Sequence, residues 1–153
     1  MCVRLFLNGD GNARDTYMSL FLIFMRGEFD KSLPWPLDDL KVTVILVNKL
    51  QHKNESRSFW PDPRSIYFQQ PRSDMNIGQG ISKCFPLTLL EEDKQFIDND
   101  ILRIHVIVDF SAKRTDEIPD DRNELINDGK DYSIPNDNTD NMICFTDNFN
   151  NTQ

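Results

Sequence analysis

Apolar and polar residues alternate from the first residues of the chain. Val3, Leu5 and Leu7 fall on one parity and Cys2, Arg4, Phe6 and Asn8 on the other, the period of a β-strand whose successive side chains face opposite sides of a sheet. Met18 to Met25 is apolar on both parities, which predicts a central strand covered on each side. Between these runs stands Asn8-Gly9-Asp10-Gly11. Asn, Gly and Asp tolerate the positive φ of a tight connection, so Val3–Leu7 and Met18–Met25 are expected to pair as a hairpin. Arg4 and Phe6 then stand side by side on an outward face.

The same periodicity runs on downstream. Leu40 to Asn48 places Val42, Val44 and Leu46 on one face, Ser56 to Trp60 reads as a short return strand ended by Pro61-Asp62-Pro63, and Ile81 to Phe85 as another. Trp35 lies between Pro34 and Pro36, which predicts an indole held as a plug against the end of the sheet. Thr88-Leu89-Leu90-Glu91 has capping-box spacing and predicts a turn or two of helix over Leu89–Lys94. Ile101 to Phe110 is the clearest alternation in the chain and is read as one strand. Strands at short intervals with little helix predict an antiparallel β-sandwich. About six strands are visible where such sandwiches use seven or more, so the fold is expected to be incomplete at its N-terminus.

Composition divides the chain. Of its net charge of −8, residues 111–153 carry ten acidic against four basic side chains. That segment is rich in Asp and Asn and buries too little apolar area to offset the entropy of ordering. The expectation is a domain over 1–110 and a disordered acidic tail over 111–153. An acidic chain without a basic cluster is a poor nucleic-acid binder. No apolar run approaches the roughly 20 residues of a membrane span, and Arg4 and Asn8 interrupt the stretch near the start that a secretory leader would need. Cys2, Cys84 and Cys144 are odd in number and far apart, which favours free thiols in a cytoplasmic protein.

Chemistry-bearing clusters are absent from the pattern. His52 falls in a polar turn and His105 on a strand face, neither with partners at metal or nucleophile spacing. Asp10-Gly11-Asn12 opens like a calcium loop, but Arg14 stands where an oxygen ligand is required and no Glu closes it. No cofactor, metal or catalytic residue is expected. Pattern alone favours Arg4 as a solvated edge charge and Phe6 and Phe21 as cover for the sheet.

A set of blocks in fixed order changes that balance: Met1 to Gly11, Ser19-Leu20-Phe21, Met25-Arg26-Gly27-Glu28, Leu33-Pro34-Trp35-Pro36, Pro61-Asp62-Pro63, Met75-Asn76-Ile77 and Ile107-Val108-Asp109. Together they resemble the C-terminal MATH domain of the tumour-necrosis-factor-receptor-associated factors (TRAF), from Met1 to about Phe110. The resemblance implies a MATH/TRAF-C β-sandwich, amino-terminally truncated, that docks an extended peptide by strand addition. It implies partners among receptor cytoplasmic tails and signalling proteins, in TNF-receptor-type signalling with outputs such as apoptosis and NF-kappaB. The carboxylate-reading arginine falls on Arg4, the acidic turn residue on Asp10, the apolar-pocket aromatics on Phe21, Phe59 and Phe68, and backbone pairing near Gln79 and Gly80.

Departures from the family pattern shape the expected preference. Phe6 stands where a tyrosine is common, Ser65-Ile66-Tyr67 keeps one hydroxyl of a serine trio, and Gln79 replaces a serine. Peptide preference is therefore expected to lean on Arg4 and apolar contacts, with Ser65, Tyr67 and Phe68 beside them. A trimer is expected only with an upstream coiled coil, and ubiquitin-ligase activity would require a RING module that these residues do not contain. The alternative is a structural or vestigial partial sandwich without a ligand unless upstream strands complete it.

Overall fold

The computed structural model describes residues 1–37, 39–50, 53–91, 95–113 and 141–144. Strand β2 (Tyr17–Ile23) is the pivot of a four-stranded antiparallel sheet ordered β5-β2-β1-β9, where β1 is Cys2–Phe6, β5 is Gln79–Pro86 and β9 is Asn141–Cys144. A second sheet is ordered β4-β3-β8, from Lys41–Leu46 (β3), Glu55–Phe59 (β4) and Ile104–Asp109 (β8). The two pack face to face as a β-sandwich, and the fold class is the one the alternation predicts.

The core follows from strand parity. Met18, Leu20 and Leu22 of β2 meet Val42, Val44 and Leu46 of β3, each no more than 1% exposed. Burying one such side chain contributes about 1.5–3 kcal/mol, so these inward rows hold the sheets together. Cys84 lies in the same core, and burial pushes its thiol up to about 12, the Arg57 guanidinium offsetting this only in part. It is protonated at neutral pH and inert as a nucleophile. At one end Phe24 makes edge-to-face contacts with Trp35 and Phe68, with ring centroids 5.4 and 5.7 Å apart. The Trp35 indole N–H donates to the Asp30 carbonyl at 2.8 Å, while the buried Asp30 carboxylate accepts the Gly27 N–H at 2.9 Å. Trp35 is thereby fixed as a plug.

Two local expectations are corrected. The β1–β2 connection is not a tight turn over Asn8–Gly11. It spans residues 7–16, with a 3₁₀ turn at Gly11–Ala13 and an Asp15 N–H to Asn8 carbonyl bond of 3.0 Å. Gly9 has φ +77°, and a Cβ there would lie 2.4 Å from the carbonyl oxygens of Ala13 and Tyr17, so the loop folds over a position only glycine can occupy. Ile101–Phe110 is not one strand either. Asn99 and Asp100, at φ +49° and +63°, form the two-residue turn of a small hairpin between Ile97–Asp98 (β6) and Ile101–Leu102 (β7). Arg103 then separates β7 from β8. The helix α1 occupies Thr88–Glu91. Its expected continuation to Lys94, like His52, lies outside the described residues.

One short strand falls within the acidic tail. Within the segment expected to be a disordered acidic tail, Asn141–Cys144 pairs antiparallel with β1, Cys2 opposite Cys144 and Leu5 opposite Asn141. Its sequence Asn-Met-Ile-Cys carries no charge, and the backbone amides and carbonyls along β1 give it a ladder to pair with. Truncation after Lys113 removes this strand. The expected cost is roughly 1–3 kcal/mol, from a few ladder hydrogen bonds each netting about 1 kcal/mol, read as a lower urea midpoint. An unchanged midpoint would mean that β9 contributes nothing to the fold.

Candidate functional site

The outward face of the four-stranded sheet is built by register. Arg4 on β1 stands opposite Phe21 on β2, and Phe21 stands opposite Gly80 on β5. One row of positions thus crosses three strands. Phe6 lies diagonally from Phe21, their rings edge to face with centroids 5.7 Å apart and planes at 86°. Arg4, Phe6 and Phe21 are all half-buried. A half-buried guanidinium on a face shared with two aromatic rings is partly stripped of water, which strengthens its attraction for a carboxylate.

Gly80 ends this row, because β5 is an edge strand. A Cβ at residue 80 would lie 2.2 Å from the Leu20 carbonyl oxygen. Only glycine lets β2 and β5 approach so closely. Gln79, next along the edge, accepts a hydrogen bond on Oε1 from the Ser65 hydroxyl at 3.3 Å. Ser65 in turn caps the 3₁₀ turn Ile66–Phe68, its Oγ accepting the Tyr67 N–H at 3.4 Å. The Asn76 amide donates to the carbonyls of Tyr67 and Gln69 at 3.0 and 2.8 Å, locking the turn against the edge. Ser65, Tyr67, Gln79 and Gly80 therefore form one neighbourhood at the end of the Arg4–Phe21 row.

Two expected pocket residues lie elsewhere. Phe59 is on β4 of the opposite sheet, opposite Val42 and 6% exposed. Phe68 is 3% exposed and packed on Phe24. Their rings belong to the core between the sheets, because the positions they occupy face inward. Asp10 joins the site through its backbone, donating its N–H to the Ser19 hydroxyl at 2.9 Å. That hydroxyl also donates to the Ser82 carbonyl. Ser19 is fully buried at the register shift in the β2–β5 ladder, where it ties the β1–β2 connection to β5. Sequence reasoning missed it. Its signal was a single hydroxyl within the apolar run Met18–Met25.

Among the described residues no group of three His, Cys, Asp or Glu could hold a metal ion, and no helix is long and apolar enough to cross a membrane. The row Arg4–Phe21–Gly80 runs from a half-buried cation past two rings to the outer strand of the sheet. Residues 1–105 match the family described as TRAF/meprin, MATH domain. The chain belongs to that family. It is 41% identical over 113 residues to TNF receptor-associated factor 1 of Mus musculus, covering 73% of this chain and 27% of that protein. TNF receptor-associated factor 2 of Homo sapiens is 38% identical over 112 residues, again 73% of this chain and 22% of the relative. The chain spans about a quarter of the length of these relatives. A solved structure of TRAF5 from Notothenia coriiceps superposes with a TM-score of 0.66 at 33% identity, over 74% of this chain and 56% of that one. Strand β9 lies beyond the family match.

Replacing Ser19 by alanine leaves the Asp10 N–H and the Ser82 carbonyl without their buried partner. The expected loss is about 1–3 kcal/mol, seen as a lower denaturant midpoint at an unchanged slope. A midpoint equal to wild type would show that the hydroxyl bridge does not hold the ladder.

Proposed function

We propose that this MATH domain is a peptide-docking adaptor module of TNF-receptor-type signalling. An extended acidic peptide from a receptor tail or signalling partner adds as a strand to the edge of β5, near Gln79 and Gly80. The observation that carries this reading is the row Arg4–Phe21–Gly80, which leads from a half-buried guanidinium to an edge strand. Family membership and relatives named as TNF receptor-associated factors support the same reading.

Geometry sharpens the expected ligand. With strands about 4.8 Å apart, a peptide paired to β5 lies roughly 14 Å from β1. Only two long side chains meeting over the Phe21 ring span that distance, so the peptide residue facing Arg4 should be Glu in preference to Asp. Phe6 and Phe21 offer apolar contact to the stem of that side chain. Ser65, bonded to Gln79, and Tyr67 beside it stand at the far end of the row, where they suit a neutral or hydroxyl-bearing peptide position. No catalytic step is assigned to the chain, and its setting in this reading is the cytoplasmic side of a receptor.

A fluorescent acidic peptide titrated by anisotropy tests the role of Arg4. Arg4→Ala is expected to weaken binding about 10-fold or more, as a charge-assisted hydrogen bond of about 1.5–3 kcal/mol is lost. A Glu-to-Asp peptide should weaken binding to wild type and make little difference to the variant, and added salt should weaken wild type more. Equal binding by wild type and variant would remove Arg4 from the site.

A further inference from the structure

Two cysteines that lie far apart in the sequence meet in the fold. The ladder between β1 and β9 is in register over four pairs, with Leu5 opposite Asn141, Arg4 opposite Met142, Val3 opposite Ile143 and Cys2 opposite Cys144. Two of the three cysteines therefore share one cross-strand position. On its other side Cys2 pairs with Ile23 of β2, and it is a fully buried thiol. Slipping the β1–β9 ladder by one residue would set Cys144 opposite Met1 or Val3 and move it to the other face of the sheet, so the juxtaposition belongs to this register alone.

Directly opposite residues of an antiparallel pair share a face, with Cα atoms about 4.5 or 5.5 Å apart according to whether the pair exchanges hydrogen bonds. A disulfide spans Cα separations of about 4.4–6.8 Å. Either kind of pair thus brings two cysteines within bridging distance without moving the backbone. Cys84 has no such partner. It belongs to β5, two strands from β1 in the order β5-β2-β1-β9, and it lies one residue from the Phe85–Met18 pair, whereas Cys2 stands opposite Ile23. That offset of about four residues is roughly 13 Å along the strands, beyond the reach of a disulfide. Burial in the core also keeps the Cys84 thiol protonated. Of the pairings that three cysteines allow, the fold leaves one.

We infer that Cys2 and Cys144 form a redox clasp, a disulfide that fixes strand β9 to β1 when a low-molecular-weight disulfide such as glutathione disulfide is the oxidant. β9 has four residues and is held by few ladder bonds, so local opening gives access to both thiols. One of them, as its thiolate, attacks a sulfur of glutathione disulfide, releasing one glutathione and leaving a mixed disulfide. When the strand closes again, the opposite thiolate attacks the protein sulfur of that mixed disulfide, the Sγ–Sγ bond forms and the second glutathione leaves. Two protein thiols have given up two electrons and two protons, and one glutathione disulfide has become two glutathiones. In a reducing compartment the pair stays as thiols, and the clasp closes only as the glutathione pool becomes oxidised. β9 and β5 stand at opposite sides of the sheet, so the clasp is separate from the proposed docking edge and its test needs no peptide.

Equilibrating the full 153-residue chain with reduced and oxidised glutathione, followed by acid quenching and non-reducing peptide mapping, tests this. The folded chain is expected to yield the linked pair Cys2–Cys144 with Cys84 still a thiol, whereas the same treatment in concentrated urea should scatter the links over all pairings. Oxidation should raise the urea midpoint by roughly 1 M or more, because a link between residues so distant in sequence restricts the unfolded chain, and dithiothreitol should reverse the rise. Cys144→Ser and, separately, Cys2→Ala should each abolish both the linked peptide and the oxidation-dependent rise. Each variant's own reduced form is the reference, so a change in folding is not mistaken for loss of the clasp. Glutathione adducts at Cys2 and Cys144 without a link between them, links to Cys84 in the folded chain, an oxidised midpoint equal to the reduced one, or an equal rise in Cys144→Ser would overturn the inference.

Discussion

The register of β2 against β5 is the constraint on which the other features rest. A strand that serves a core on one side and a surface on the other has no freedom to slip, since a shift of one residue exchanges its faces. Here a slip would drive Phe21 into the core and expose Leu20 and Leu22. Two residues hold the register from opposite directions. Gly80 allows the backbones to approach, and Ser19 restores with its hydroxyl what the register shift beside it takes from the ladder. The β1–β2 connection is tied to the same point through Asp10. The position of Arg4 beside Phe21 is a consequence of this arrangement, so fold and candidate site share one determinant.

Long-range order in the molecule is achieved by parity, while its ends are set by individual side chains. The inward rows of β2 and β3 would drive association of almost any two apolar faces. Specific closure comes from Trp35 hydrogen-bonded to the Asp30 carbonyl, from Asn76 clamped on two carbonyls, and from Ser65 joined to Gln79. Two of these three lie around the edge of β5. That edge is therefore presented by a stiff surround, which lowers the ordering cost of docking an extended chain.

The strands were legible in the sequence wherever alternation was strict. Val42, Val44 and Leu46 declared the inward face of β3, and Arg4 and Phe6 their shared outward face. The long connection over Gly9 was not legible, because the same Asn, Gly and Asp residues serve tight and open turns alike. The break at Arg103 was hidden by unbroken alternation through Ile101–Phe110, and only the Asn99-Asp100 pair signalled it. Strand β9 was obscured by its acidic surroundings, since its pairing depends on an edge contributed by residues far away in the chain. For the candidate site, the resemblance pointed to Arg4, Phe6, Phe21 and Gly80, which the strand register sets on one face, whereas Phe59 and Phe68 carry apolar character that suits a pocket and a core equally. Burial alone separates those two uses, and burial is a property of the folded chain.

The most direct test of the docking edge is amide hydrogen exchange of the full chain with and without a saturating Glu-containing peptide. Strand addition to β5 is expected to slow exchange selectively at alternate backbone amides around Gln79 to Ile81, while the amides of β8 stay unchanged. Protection spread evenly over the molecule, or none at β5 under conditions where the peptide is bound, would contradict docking by strand addition at this edge.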